Sequence, residues 1–278
     1  MKLHTIETGL FKLDGGAMFG VVPKAIWQNF YPADSNNRCT WSMRSLLIEE
    51  GDRLILIDCG LGNKQSEKFF SHFEPHGDDS LEKSLHANGF HRNDITDVIL
   101  THLHFDHCGG AVIKNSDGNP EINFPNAVYW SHEKHWDWAL DPNPRERASF
   151  LKENILPIQE SGQLKFIDKD DFSMDTISFK SVDGHTEKMV LPMIQYKERT
   201  VAYMADLLPS PHHIPIPYVM AYDIRPLVSI DEKSVFLKEA FENEYVLFFE
   251  HDQHIECCDL RNTDKGIRMD KSFTLSAL

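Results

Sequence analysis

The sequence predicts an α+β protein in which two similar half-units each contribute a β-sheet, giving a sandwich with helices outside. Three observations lead there. Short apolar, β-branched runs come in groups, with helical segments between the groups, in both halves of the chain. The stretch from Ser45 to Asp58 is two apolar runs around Gly51-Asp52, a β-hairpin signature. An internal echo relates the halves: Arg53-Leu54-Ile55-Leu56-Ile57-Asp58 and Arg199-Thr200-Val201-Ala202-Tyr203-Met204-Ala205-Asp206 both start on arginine and end on aspartate.

The elements follow in order. After the hairpin, Asp79 or Ser80 caps a helix that runs through Leu81 and Leu85 and stops near Gly89. Val98–Leu100 and Ala127–Trp130 are short buried strands, and Ser131 caps the next helix with Glu133 in its first turn. A longer helix covers Arg145 to Leu156 and ends before Pro157. Thr176–Val182, Met189–Gln195 and Thr200–Met204 read as strands, Ser229 to Glu242 as a helix, and Tyr245–Phe249 as a strand. The polar tail from Cys257 to Leu278 is expected to be ordered only by docking. No Ser/Gly-rich linker, low-complexity tract or block of like charge divides the chain, so residues 1–278 read as a single domain.

Composition narrows the function. Hydrophobic residues at 41% and charged residues at 26% are ordinary for a soluble globular enzyme. A formal net charge of −15 argues against a nucleic-acid partner, whose phosphates call for clustered Lys and Arg. No stretch approaches the ~18 apolar residues of a membrane span, and the start carries no apolar secretory core. Five scattered cysteines, Cys39, Cys59, Cys108, Cys257 and Cys258, fit reduced thiols in a cytoplasmic protein better than a disulfide framework. Cys108 reads as a small packed residue.

Chemistry concentrates at residues 101–110, Thr-His-Leu-His-Phe-Asp-His-Cys-Gly-Gly. Four metal-ligand types, His102, His104, Asp106 and His107, directly follow the apolar run Val98-Ile99-Leu100. A strand ending there delivers them at its C-terminal edge. His102 and His104 share one side of an extended chain, and a bend made cheap by Gly109-Gly110 returns Asp106 and His107. Imidazole with carboxylate suits a borderline metal such as zinc, while manganese, iron or cobalt also fit. Further ligand types follow later strands: Gly184-His185-Thr186, Asp206, and Glu250-His251-Asp252. His132 and His135, three apart on a helix, read as solvated surface.

These seven positions, in this order and at strand ends, resemble the His-x-His-x-Asp-His motif and later His, Asp and His of the metallo-β-lactamase superfamily of hydrolases. The resemblance runs roughly from Gly15 to Asp252. Asp14–Lys24, Ala205–Pro209 and Val219–Asp223 are similar to the YtnP-type quorum-quenching lactonases, with methyl parathion hydrolases as more distant relatives. The resemblance implies a four-layer αββα sandwich with two divalent metal ions, zinc first among them. It assigns His102, His104 and His185 to one metal and Asp106, His107 and His251 to the other, with Asp206 bridging. Two metals ~3.5–4 Å apart then share a hydroxide that attacks an ester or lactone carbonyl. Asp106 is the candidate for moving the proton to the leaving oxygen, and Asp58 for orienting a ligand histidine.

One departure bears on the substrate. Many acyl-homoserine lactonases of the superfamily carry a tyrosine three residues after the bridging aspartate, and this chain has Pro209. Tyr222, His212 or His213 takes over, or the metals alone polarise the carbonyl. His212-His213 otherwise reads as an ordinary loop or a substrate-contacting lid. Met18, Phe19, Val21, Trp27 and Phe30 are candidates for a wall against an acyl chain, or for plain packing. The leading expectation is lactone opening of the N-acyl-homoserine lactone kind on a small-molecule substrate, compatible with a homodimer. The rival is an arylester or phosphotriester hydrolase. An iron-dependent redox member is a weaker rival, because the flavodiiron proteins replace the second motif histidine by glutamate and His104 is present.

Overall fold

The computed structural model describes residues 1–172 and 175–278. Fourteen strands are formed among them: β1 (Lys2–Asp14), β2 (Arg38–Glu50), β3 (Arg53–Ile57), β4 (Asp97–Ile99), β5 (Val112–Lys114), β6 (Pro120–Ile122), β7 (Val128–Ser131), β8 (Leu164–Phe166), β9 (Ile177–Val182), β10 (Met189–Tyr196), β11 (Arg199–Tyr203), β12 (Val246–Phe248), β13 (Cys257–Thr263) and β14 (Gly266–Phe273). The α-helices are α1 (Gly15–Phe19), α2 (Lys24–Trp27), α3 (Glu67–Phe73), α4 (Leu81–Ala87), α5 (Phe105–Cys108), α6 (Glu133–Leu140), α7 (Lys152–Glu160) and α8 (Pro226–Glu242). Two compact units emerge: Met1–Leu10 with Met43–Ser173, and Phe11–Ser42 with Met174–Leu278. Both β1 and β2 therefore begin in one unit and end in the other.

One six-stranded sheet has the order β1-β2-β3-β4-β7-β8 and the other β14-β13-β12-β11-β10-β9. The internal echo is a topological one. β2 pairs antiparallel with β3, which pairs parallel with β4; likewise β10 pairs antiparallel with β11, which pairs parallel with β12. Every residue of β4 and of β12 is buried, as strands with parallel neighbours require, which explains the apolar runs Val98–Leu100 and Val246–Phe248, while the buried Asp97 is paired with Arg53 and the Trp130 indole. In the first unit Leu47, Leu56, Val98 and Leu100 pack with Trp136, Ile155 and Ile158 from α6 and α7.

Three local expectations are corrected. Ser131 ends β7, and His132 caps α6 instead, its Nδ1 accepting from the Lys134 amide at 3.2 Å. The helix expected over 145–156 starts only at Lys152. Upstream, the Asn143 side chain accepts from the Arg145 and Glu146 amides at 2.8 and 3.2 Å, a local turn that competes with helix. That helix then runs through Pro157 rather than stopping before it. A helix-interior proline costs about 3 kcal/mol. Full burial of Ile155 and Ile158 offsets this at about 1.5–3 kcal/mol each. The C-terminal tail is a hairpin, β13 against β14, continuing the second sheet from β12.

Candidate metal centre

In the first unit the ligand run begins where β4 ends. The Asp58 amide donates to the Ile99 carbonyl at 2.9 Å, holding the ends of β3 and β4 together. Its carboxylate accepts from the Thr101 amide at 2.8 Å, the Thr101 hydroxyl at 2.6 Å and His107 Nδ1 at 3.0 Å. Asp58 thus orients His107, as expected, and its φ of 56° places it in the left-handed region that aspartate tolerates. The single turn of α5 brings Asp106 and His107 back toward His102 and His104. Gly109 and Gly110 serve close packing rather than bend freedom. A Cβ on Gly109 would lie 2.1 Å from the Leu61 carbonyl oxygen, and one on Gly110 2.1 Å from that of Cys59.

All four side chains are buried, and their donor atoms converge. His102 Nε2 and His104 Nδ1 are 3.1 Å apart, and His107 Nε2 is 3.9 Å from an Asp106 carboxylate oxygen. His135 is fully buried, correcting the solvated-surface expectation: its Nε2 accepts from the Leu103 amide at 2.8 Å and so pins the segment between the first two histidines. Glu146, anchored by the Trp138 indole at 2.8 Å, stands 3.6 Å from His104 Nε2. Cys108 is buried, and burial pushes its thiol up to about 12, so it is a packing residue.

The second unit repeats the arrangement. Asp206 follows β11 and presents one carboxylate oxygen to His185 Nε2 and the other to His251 Nε2, each at 3.0 Å. Each histidine is anchored through its other nitrogen: His185 Nδ1 on Asp223 at 3.0 Å, His251 Nδ1 on the Ser42 carbonyl at 2.8 Å. Ala205, the residue before Asp206, has a φ of 41°, a strained conformation for alanine of the sort that persists at functional sites. His185 sits on a turn clamped by α8. The Glu232 carboxylate accepts from the Asp183 and Gly184 amides at 2.6 and 3.0 Å, and a Cβ on Gly184 would meet Ser229 at 2.3 Å.

The donor set fits divalent cations. A histidine whose Nδ1 donates to a carboxylate or carbonyl carries its lone pair on Nε2. His107, His185 and His251 are all of this kind. Donors about 2.1 Å from a shared ion in tetrahedral geometry lie about 3.4 Å apart, and the spacings of 3.0, 3.0, 3.1 and 3.9 Å bracket that value. Burial opposes charge on His185, yet Asp206 and Asp223 outweigh it and push the imidazole up to about 10. The pocket between those carboxylates thus calls for positive charge.

The other sequence candidates divide. His213 is buried with both nitrogens engaged, on Ser210 at 2.8 Å and the Met18 carbonyl at 2.9 Å, and burial pulls it down to about 3. It is a packing residue. His212 stacks on Phe30 with ring centres 4.2 Å apart, and burial lowers its pKa against the field of Asp252. Tyr222 is 38% exposed. Of the proposed apolar wall, Met18, Phe19 and Trp27 are buried, with Phe19 stacked on Trp27 and on His213, while Val21 is 87% exposed. Those buried members are packing. Sequence reasoning missed Tyr31, whose hydroxyl bonds Asp252 beside His251, and it missed the partners Asp223 and Glu146.

Residues 44–251 match the family model of the metallo-β-lactamase superfamily, three quarters of the chain. Among solved structures, one described as a probable metal-dependent hydrolase from Staphylococcus aureus is similar at 28% identity and a TM-score of 0.88, covering 98% of this chain and 96% of that one. AidC, a dizinc quorum-quenching lactonase, is similar at 22% identity and a TM-score of 0.80, covering 99% of this chain and 97% of its own. The latter likeness is one of fold. A transcription termination factor, FttA of Methanocaldococcus jannaschii, is 36% identical over 64 residues, 23% of this chain and only 8% of that protein. The chain belongs to the metallo-β-lactamase superfamily and has its α+β fold, as the sequence motif led one to expect.

Proposed function

We propose that this superfamily member is a dinuclear metal-dependent hydrolase that opens lactone rings of the N-acyl-homoserine lactone kind. The observation that carries the hydrolase reading is the paired use of histidine nitrogens: Nδ1 of His107, His185 and His251 anchored on an acceptor, and Nε2 turned toward the carboxylate of Asp106 or Asp206. In this reading His102, His104 and His185 would hold one ion, Asp106, His107 and His251 would hold the other, and Asp206 would serve both. Zinc is the first choice, since AidC is dizinc and the imidazole and carboxylate donors suit it. Bound there, the ions supply Lewis acidity, acidifying water and polarising the ester carbonyl.

The chain's own residues do the rest. Asp58, Asp223 and the Ser42 carbonyl keep three imidazoles in the ligating tautomer. Asp106 takes the proton given up by the attacking water and passes it to the departing alkoxide oxygen as the ring C–O bond breaks. His212, held neutral by burial, and the Tyr222 hydroxyl take the place vacated at Pro209, each as a hydrogen-bond donor to the carbonyl oxygen. Five buried cysteines, none in a disulfide, support a cytoplasmic setting. No helix among the described residues is long and apolar enough to cross a membrane.

A hydrolysis panel on metal-quantified protein tests the substrate, comparing acyl-homoserine lactones, aryl esters, phosphotriesters and thioesters. The lactones should turn over fastest, and chelation should abolish that turnover. Full metal loading with turnover of aryl esters or phosphotriesters but not lactones would replace the lactonase reading by that rival.

A further inference from the structure

Helix α8 carries a lysine in its buried face. Lys233 is 1% exposed, and its three N–H groups are all used on the backbone of one loop. Its Nζ donates to the carbonyls of His213 at 2.8 Å, Pro215 at 3.0 Å and Tyr218 at 2.8 Å. Burying an ammonium without a direct carboxylate partner is costly, and the three carbonyls offset that cost by giving each N–H an acceptor. The loop it grips runs between Asp206 and Asp223. Four prolines, Pro209, Pro211, Pro215 and Pro217, carry no amide there, and the backbone bonds within 210–219 are local turns such as His213 N–H to the Ser210 carbonyl and Tyr218 N–H to that of Pro215. Next to Lys233, Glu232 clamps the turn that carries His185.

We propose that Lys233 is a positioning residue: it fixes the 213–218 segment on α8 and thereby sets His212 before it and Asp223 behind it, the partner of His185. The assignment rests on the proposed function for the meaning of those two residues, but the clamp itself does not. A neutral amine has only two N–H groups, so deprotonation releases one of the three carbonyls. The charged and titratable groups that act on Lys233 are Asp223, which favours its charge, and the His213 ring, itself neutral. Burial nevertheless pulls the ammonium down to about 7, which places that release within an accessible range.

Hydrogen exchange followed by mass spectrometry on the metal-loaded full chain tests this. In Lys233→Met, peptides spanning 210–219 should exchange on the order of tenfold faster than in wild type at pH 6, while β10 and β11 are unchanged. In wild type the same peptides should loosen between pH 6 and 9, beyond the intrinsic rise in exchange, and the variant should show no such change. If Lys233→Met does not fold, Lys233→Gln takes its place, and protection of 210–219 equal to wild type at pH 6 would overturn the proposal. Equal protection in variant and wild type at every pH would overturn it too. Turnover adds a separate readout: kcat should fall on the order of tenfold to a hundredfold, with KM moving less. Accelerated exchange with no turnover of any substrate in either protein would leave the clamp standing and remove the hydrolase reading instead.

Discussion

Asp58 has no sequence motif around it, yet it governs the first half of the metal centre. Its carboxylate joins Thr101 on the strand-end turn to His107, and neither oxygen is left for water. Asp58→Asn preserves shape and the left-handed backbone but weakens the acceptor that fixes His107. Metal affinity should drop about 10–100-fold, measured by competition with a chromophoric chelator at unchanged circular dichroism. An unaltered affinity would mean that His107 is oriented by packing alone. The candidate ligands were legible in the sequence because four of them sit in six consecutive positions and the others each follow an apolar run. Apart from Asp58, their partners were not. His135, Asp223 and Glu146 acquire a role only when folding sets them against Leu103, His185 and His104. Lys233 did leave a trace, since it falls on the same helical face as the buried Ser229, Phe236, Leu237 and Ala240.

At the scale of elements, α8 is the support of the second half-site. It meets the His185 turn through Ser229 and Glu232 and the following loop through Lys233. Gly184 lets the helix come that close. Gly184→Ala drives a methyl into Ser229, which is backbone-deep and cannot yield cheaply. We expect a loss of about 1–3 kcal/mol of stability, seen in urea denaturation, together with poorer metal retention. Full stability and full metal retention would show that this contact is slack. Buried strands such as β4, β11 and β12 were legible because burial on both faces makes their apolar runs continuous, whereas the less buried β1, β5, β6 and β8 were not recognised. The helix at 152–160 was misplaced because Asn143 captures nearby amides, a competition invisible to periodicity. The β13–β14 hairpin escaped notice because its exposed polar strands lack a strong alternating pattern.

For the whole molecule, the echo between Arg53–Asp58 and Arg199–Asp206 proved to be one plan used twice: an antiparallel pair, then a parallel strand, with metal-ligand chemistry at the strand ends. Each compact unit is built from two separate stretches of chain, and β1 and β2 run through both. A single cooperative domain is therefore our expectation. Urea unfolding followed by fluorescence and by circular dichroism should give one coincident transition, and two resolved transitions would establish separate domains. Saturating metal should raise the midpoint, by about 2.7 kcal/mol for each site held at a hundred times its dissociation constant. The proposed function turns on a pair of divalent ions held by seven side chains, which elemental mass spectrometry of the zinc-reconstituted, exhaustively dialysed chain can count. Close to two metal ions per chain are expected, falling to one or fewer in Asp206→Ala. Fewer than one ion in the wild-type chain would contradict it.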